Sequence, residues 1–288
     1  MAQEIELKLA LAFPGPDALR RHPRLAGLSS HITRLGNTYF DTADGRLEAE
    51  RMALRLRHAD GRLLQTLKTS GQGSGGLSTR GEWEWEVIGP GLDLARLAEL
   101  PPIRALGEGV LGRLVPCFAT DFVRETWWWE GHGSTVEVAL DLGEVKSDDR
   151  QVPIRELELE LKDGDPGALF ELADALADTL PLRPSDTSKA ARGGALLAGH
   201  WTLPDGGSPA AWLHRAVVAL DAHADTGDSS YREAAREALL TLAERHPAAR
   251  EPAQRLAEAL QHDDWLTADT GRRLFSLSRG LPDAVELG

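Results

Sequence analysis

Glu4-Ile5-Glu6-Leu7-Lys8-Leu9 alternates charged and apolar side chains with a period of two. Successive side chains of a strand point to opposite faces, so Glu4, Glu6 and Lys8 share one face while Ile5, Leu7, Leu9 and Leu11 share the other. The same period recurs through the first 200 residues. Met52, Leu54 and Leu56 oppose Arg51, Arg55 and Arg57, and Leu64, Thr66 and Lys68 follow on one face. Arg80, Glu82, Glu84 and Glu86 oppose Trp83, Trp85 and Val87, and Glu137 and Asp141 oppose Val136, Val138, Leu140 and Leu142. Glu156, Glu158, Glu160 and Lys162 oppose Leu157, Leu159 and Leu161. Helical segments are expected between the strands, near 15–26, 92–107 and 166–179, which makes the region α+β or a β-barrel.

One charged strand face is ordinarily a solvated face. Here the charges are sorted by sign along the chain. Glu4 and Glu6, Glu82 and Glu84, and Glu158 and Glu160 repeat carboxylate-x-carboxylate, whereas Arg55 and Arg57 repeat guanidinium-x-guanidinium. An indifferent surface mixes its signs. Carboxylates crowded on one concave surface raise one another's pKa unless a cation sits among them, and a hard divalent ion with oxygen ligands, Mg²⁺ or Mn²⁺, answers that need. The arginines and lysines suit a polyphosphate anion, Arg by its planar fork and Lys as a point charge. Strands of this kind can curl so that the charged faces line a tunnel and helices cover the apolar faces.

Composition bounds the remaining choices. The chain has 288 residues, and 32 Lys+Arg against 45 Asp+Glu gives 32 − 45 = −13. That excess disfavours nucleic acid or anionic membrane as a partner, and an anionic substrate must meet a local cationic patch. No apolar run is long enough to span a membrane, and the charged start is unlike a secretory signal, so a soluble, cytoplasmic protein is expected. The single cysteine, Cys117, cannot form an internal disulfide, and the nine histidines show no metal-ligand spacing.

Composition changes near residue 200. His200–Pro209 reads as a turn-rich linker, and about four helices are expected beyond it, near 209–224, 230–245, 249–261 and 265–279. Residues 1–200 and 209–288 are therefore expected as two domains, the second small and all-α. It shows no cluster of catalytic ionisable residues, so its expected role is packing or partner contact, pairing of two copies through this tail included.

Several blocks in order carry a resemblance: Glu4-Ile5-Glu6-Leu7-Lys8, Asn37 to Thr42, Leu54 to Arg57, Thr66 to Thr69, Arg80 to Glu84, the segment around Arg124, Val136 to Gly143, Glu156 to Gly164 and Ser188 to Gly193. Together they resemble the CYTH superfamily of triphosphate tunnel metalloenzymes over about residues 1–200. The resemblance implies an eight-stranded antiparallel β-barrel with flanking helices, acting on triphosphates with Mg²⁺ or Mn²⁺. Glu4 and Glu6 with two of Glu156, Glu158 and Glu160 would hold the metal. Glu82, Glu84 and Asp141 would hold a second metal or orient the attacking water. Lys8, Arg55, Arg57, Lys68, Arg80, Arg124, Lys189 and Arg192 would grip phosphate oxygens.

Within that resemblance the leading expectation is an inorganic triphosphatase, cleaving tripolyphosphate to pyrophosphate and phosphate. A nucleoside or thiamine triphosphatase, or an adenylyl cyclase, of the same fold is the first alternative, although the cyclases carry a His-Phe element before ExExK that the residues preceding Glu4 do not match. A non-catalytic polyphosphate-binding module is the second. Bacterial members with an added helical region often continue into a CHAD domain, but residues 210–288 lack its basic, histidine-bearing helices, so an accessory tail is expected. Three smaller features read as structural: the glycines at 71–76 as a connection between two strands, Asp41 as a turn residue, and most of Trp127, Trp128 and Trp129 as core.

Overall fold

The computed structural model describes residues 2–12, 15–69, 76–107 and 109–281, with the backbone alone at positions 2, 3, 79 and 80. Its centre is one sheet of β1 (Ala2–Leu11), β2 (Ser30–Thr42), β3 (Ala53–Ala59), β4 (Arg62–Lys68), β5 (Leu77–Glu86), β6 (Leu114–Gly131), β7 (Ser134–Ser147), β8 (Arg150–Asp163) and β9 (Leu182–Pro184). The order is β5-β4-β3-β2-β6-β7-β8-β1-β9, and β1 also pairs with β5. That extra pairing joins eight strands into a hydrogen-bonded ring, antiparallel at every step.

The ninth strand has no counterpart in the sequence reading. β1 is long enough to serve two partners on one edge, with Ala2 to Leu7 facing β5 and Leu9 to Leu11 facing β9. Three residues ending in Pro184 are too few to show a period, which is why β9 is invisible in the pattern.

The apolar faces point outward, the reverse of an ordinary soluble barrel with a filled interior. Leu7, Leu9, Val136, Val138, Leu157 and Leu159 are completely buried against Leu169, Leu172 and Leu176 of α5 (Gly167–Ala177), and burying each such leucine contributes about 1.5–3 kcal/mol. On the other side Leu54, Leu67 and Trp85 pack on Leu47, Leu97 and Ile103. These come from α2 (Arg46–Ala49), α3 (Leu94–Ala98) and α4 (Pro101–Ala105). The helix expected over 92–107 is thus two short ones, because Pro101 and Pro102 lack the N–H groups needed to continue α3 and are well placed at the start of α4. The helix expected over 15–26 stops after α1 (Gly15–Arg20), short of Pro23.

Beyond α6 (Lys189–Ala198), residues 200–207 carry neither helix nor strand. Four helices follow, α7 (Pro209–Thr226), α8 (Ser229–Arg245), α9 (Arg250–Ala259) and α10 (Ala268–Gly280), built on Leu213, Leu220, Leu239, Leu242 and Leu256. The tail also touches the barrel. Phe275 of α10 joins the core under α5, and a Cβ on Gly271 would stand 2.1 Å from the Leu182 carbonyl oxygen of β9, so only glycine lets the two backbones approach. Among the described residues no helix is long and apolar enough to cross a membrane.

Candidate active site

Strand register aligns the inward charges in rows. Arg124 stands opposite Asp141, Asp141 opposite Glu156, Lys8 opposite Glu158, Glu6 opposite Glu160, and Glu160 opposite Glu137. Around the ring Lys68 faces Glu82, Thr66 faces Glu84 and Arg55 faces Thr66. Because side chains alternate, one register fixes a whole row on the inner face. The result is a cavity of about 670 Å³ with lining residues from all eight strands of the ring.

Its described lining carries nine cations (Lys8, Arg51, Arg55, Arg57, Lys68, Arg96, Arg124, Lys162, Lys189) and seven carboxylates (Glu4, Glu6, Glu82, Glu84, Glu137, Glu158, Glu160), and 9 − 7 = +2. A chain of net charge −13 therefore concentrates cations here, enough to match its carboxylates even when Asp141 and Glu156 beneath the lining are counted, 9 − 9 = 0. Such a cavity suits an anion.

The most tightly knit part is an acidic cluster, Asp141, Glu156 and Glu158, each offering a carboxylate oxygen within 4.8 Å of the others. Lys189, on the first turn of α6, reaches all three: Nζ lies 2.6 Å from Asp141 Oδ2 and 3.0 Å from Glu158 Oε1, and also pairs with Glu156. Arg124 donates from Nε and Nη2 to the two Asp141 oxygens, both at 2.7 Å, and from Nη2 to Glu158. Burial opposes these charges, and the pairings decide the outcome. Against burial, Asp141, Glu156 and Glu158 hold the Lys189 ammonium above its ordinary pKa, and Asp141 and Glu158 do the same for Arg124. Burial would raise Glu158, yet Lys189 and Arg124 hold it well below the usual carboxylate range, whereas burial, with Lys189 opposing, leaves Glu156 raised.

Across the cavity the cations crowd one another. Burial lowers the Arg57 guanidinium to about 10, with Arg55 and Arg124 pushing the same way. It stays charged at neutral pH and is held by Asn37 Oδ1, which accepts from Nε at 2.9 Å, while Asn37 donates to Thr120 at 2.9 Å. Arg55 donates to Thr66 Oγ1 at 3.3 Å, and Thr66 donates to Glu84 at 2.8 Å. Tyr39, buried beside Arg55, has its phenol lowered: burial works the other way, but Arg55 together with Lys189 and Arg57 outweighs it.

The remaining carboxylates sit near lysines. Lys68 Nζ donates to Glu4 at 2.8 Å and lies 3.4 Å from Glu82; Lys8 Nζ lies 3.7 Å from Glu6. Lys162 is 2.7 Å from Glu160 and 3.8 Å from Glu137. Glu160 is raised nonetheless, by burial first and then by Glu4 and Glu137, with Lys162 opposing.

Of the residues singled out from sequence, Glu4, Glu6, Lys8, Arg55, Arg57, Lys68, Glu82, Glu84, Arg124, Glu158, Glu160 and Lys189 line this cavity. Asp141 and Glu156 lie beneath it, fully or nearly fully buried under Lys189. Arg192 is turned the other way, donating to Asp225 of α7 from Nε at 2.9 Å and Nη2 at 2.5 Å, with only Nη1 near Glu156 at 3.7 Å. The side chain of Arg80 lies outside the described residues, as does most of the 71–76 glycine run. Glu137 and Lys162 belong to the lining although sequence reading left them out, and their signal was present: Glu137 shares a face with Asp141, and Lys162 extends the Glu156-Glu158-Glu160 face. Arg51 and Arg96 gave less signal, one before a strand and the other on a short helix whose guanidinium lies 5.0 Å over the Trp85 ring.

Asp41 serves as a turn residue. Its Oδ1 accepts the N–H groups of Thr42 and Leu47 at 2.6 and 2.8 Å, and Oδ2 accepts that of Glu48 at 2.9 Å, which satisfies the start of α2. Trp127 and Trp129 are core, while Trp128, on the alternate face, is half exposed.

The first two thirds of the chain have known relatives in sequence. The CYTH domain model matches residues 2–193. An inorganic triphosphatase of Haemophilus influenzae is 37% identical over 195 residues, 67% of this chain and 54% of that protein, so the chain spans about half the length of this curated relative. Among solved structures, a proposed adenylyl cyclase from Hippeastrum, described with a dominant triphosphatase activity, superposes with a TM-score of 0.49 at 21% identity, covering 69% of this chain and 97% of its own. The inorganic triphosphatase NE1496 gives 0.24 at 18% identity, covering 58% of this chain and 80% of that one. The family match, over two thirds of the length and over every strand of the ring, and the sequence identity decide the assignment: the chain belongs to the CYTH domain family.

Proposed function

We propose that this protein hydrolyses a triphosphate inside the ring of strands, with inorganic triphosphate as the substrate and pyrophosphate and phosphate as products. The observation that carries the reading is the inner face itself: nine cations and seven carboxylates in register-fixed rows around about 670 Å³. Water adds to a terminal phosphorus, the bridging P–O bond breaks, and the pyrophosphate leaves with the electron pair while the water's proton passes to a carboxylate or solvent. The likeness to the Haemophilus influenzae inorganic triphosphatase supports the choice of substrate.

The cations supply binding and charge stabilisation. Arg57, lowered to about 10 by burial and its guanidinium neighbours, is a cation short of counter-charge, and a phosphate oxygen relieves that repulsion. Arg55, Lys8 and Lys68 line the same space and meet further oxygens. Arg124 and Lys189, fixed by Asp141 and Glu158, need no reorganisation when charge develops on the leaving group, which is where preorganised cations contribute most. Glu82 and Glu84, on the opposite wall of the register, are the carboxylates proposed to orient the attacking water.

The donor set also fits a divalent metal. Oxygen-only ligands suit Mg²⁺ or Mn²⁺. The cluster of Asp141, Glu156 and Glu158 is compact enough to share an ion but is already answered by Lys189 and Arg124. Glu160, raised by burial and by Glu4 and Glu137, marks the wall where negative charge is in excess, so Glu4, Glu6 and Glu160 are the residues proposed to hold the ion, with Glu158, whose oxygens are engaged by Arg124 and Lys189, beside them. When bound, the ion would neutralise phosphate oxygens and polarise the phosphorus. A cytoplasmic setting accords with a chain that has one cysteine.

The test is ³¹P NMR of tripolyphosphate incubated with the protein and Mg²⁺. Equal amounts of phosphate and pyrophosphate are expected, lost in Glu6→Gln; unchanged tripolyphosphate that still binds would make the protein a phosphate-binding module instead.

A further inference from the structure

Lys189 pairs with three carboxylates at the cavity, yet it is not on a strand of the ring. It stands at the first position of α6, directly after a segment, residues 182–188, of which only Leu182 to Pro184 pair as a strand. The placement of its ammonium therefore depends on what fixes that segment and the first turns of α6.

Two carboxylates of the tail do so. Asp221 and Asp225 lie four residues apart on α7, hence on one face. Asp221 is nearly fully buried and accepts four hydrogen bonds: from Arg183 Nη1 at 2.5 Å, and at 3.1 Å each from Ser185 Oγ, the Asp186 N–H and the Thr187 N–H. It gathers the three residues that lead into the Ser188 cap of α6, Ser185 by its hydroxyl and Asp186 and Thr187 by their backbone N–H groups. One turn along, Asp225 takes the Arg192 fork at 2.9 and 2.5 Å, and Arg192 Nη2 also donates to the Pro153 carbonyl at 2.5 Å. Arg192 and Lys189 are three residues apart on α6, so Asp225 holds the helix turn that carries Lys189. A buried carboxylate so fully satisfied is stable only in this arrangement of donors.

We propose that the helical tail is a working part of the site: Asp221 and Asp225 are positioning residues that set the reach of the Lys189 ammonium into the acidic cluster. Removal of either carboxylate charge lets residues 183–192 shift against the barrel and loosens Lys189 from Asp141 and Glu158. The effect on turnover rests on the triphosphatase reading. The effect on Lys189 does not.

The chain has five lysines, Lys8, Lys68, Lys146, Lys162 and Lys189, so a side-chain ¹⁵N ammonium spectrum of the full-length protein can be assigned by single substitutions. A slowly exchanging Lys189 resonance, absent in Lys189→Met, is expected to shift or broaden in Asp221→Asn and Asp225→Asn. It should stay in place in Arg279→Ala, which breaks a tail contact to Asp174 of α5 remote from α6. Should Asp221→Asn fail to fold, Ser185→Ala removes one of its four donors and should move the same resonance less. In tripolyphosphate turnover kcat/KM should fall about ten- to a hundredfold, the loss expected from displacing a charged group by about an ångström. In a Lys189→Met background the tail substitutions should then add little. A folded Asp221→Asn and Asp225→Asn pair with the Lys189 resonance unmoved, or with losses that multiply those of Lys189→Met, overturns the proposal. Absent turnover in the unsubstituted protein, with the resonance still displaced in the tail variants, would instead overturn the triphosphatase reading and leave the positioning role standing.

Discussion

Lys189 and Asp141 meet at 2.6 Å although one begins helix α6 and the other sits in the middle of β7. The pair joins the ring of strands to the helix that precedes the tail, and Asp141 is entirely buried there. Breaking a buried, hydrogen-bonded ion pair from one side leaves an uncompensated charge and costs about 3–5 kcal/mol. Lys189→Met, which leaves Asp141 and Glu158 to share Arg124, and Glu156 with Arg192 at 3.7 Å, should lower unfolding free energy by about that amount in urea at pH 7. A change within about 0.5 kcal/mol, the usual size for a surface substitution, would show the pair to be structurally idle.

Among the described residues Arg57 is held by one side-chain acceptor, Asn37, and it is lowered by burial, Arg55 and Arg124, so its value to the fold is small and its value to an anion large. Charge-assisted hydrogen bonds contribute about 1.5–3 kcal/mol. Calorimetric titration with tripolyphosphate should therefore show Arg57→Ala weakening binding by about ten- to a hundredfold with the melting temperature of the free protein little changed. Equal affinity in the variant would remove Arg57 from the binding wall.

His214 of α7 lies 2.7 Å from Asp186, and its pKa is raised: burial lowers it, but the Asp186 hydrogen bond and charge prevail, with Asp221 assisting and Arg51 opposing. A histidine whose folded pKa exceeds its unfolded value, about 6.5, stabilises fully below that value and loses the contribution as pH rises through the folded pKa. Thermal melts in low salt should show stability falling from about pH 6.5 upward through that value, and Asp186→Asn should flatten this limb. A variant with the same slope as the parent would mean the pair carries no such linkage.

The outward apolar faces make a prediction of opposite kind. Leu172 of α5 is buried against the outer face of the barrel wall and is not among the residues lining the cavity. Leu172→Ala should cost about 2–5 kcal/mol by the cavity it leaves, while the folded fraction keeps its affinity for tripolyphosphate. Loss of affinity without loss of stability would place α5 in the site.

Much of this was legible because the period of two is unambiguous. Glu4 to Leu9 and Glu156 to Lys162 state which face is charged, and a ring is what turns such faces inward without leaving an edge. Where the pattern was silent, the cause was local. β9 is three residues long, and Pro101-Pro102 divides a helix whose hydrophobic spacing runs through the break. Arg192 matched a motif by position, but its direction was set by Asp225, a partner 33 residues away that no local spacing announces. Asp141 and Glu156 share a face with tunnel residues, and only the arrival of Lys189 above them places them below the surface of the cavity.

The most direct measurement of the central claim is phosphate release by the purified protein from tripolyphosphate, ATP and thiamine triphosphate, each with Mg²⁺, with Mn²⁺ and with EDTA, beside the Glu4→Gln variant. The account predicts metal-dependent turnover that strongly favours tripolyphosphate and is lost in the variant. No turnover of any of the three, with tripolyphosphate still raising the melting temperature, would contradict it and leave an anion-binding barrel without chemistry.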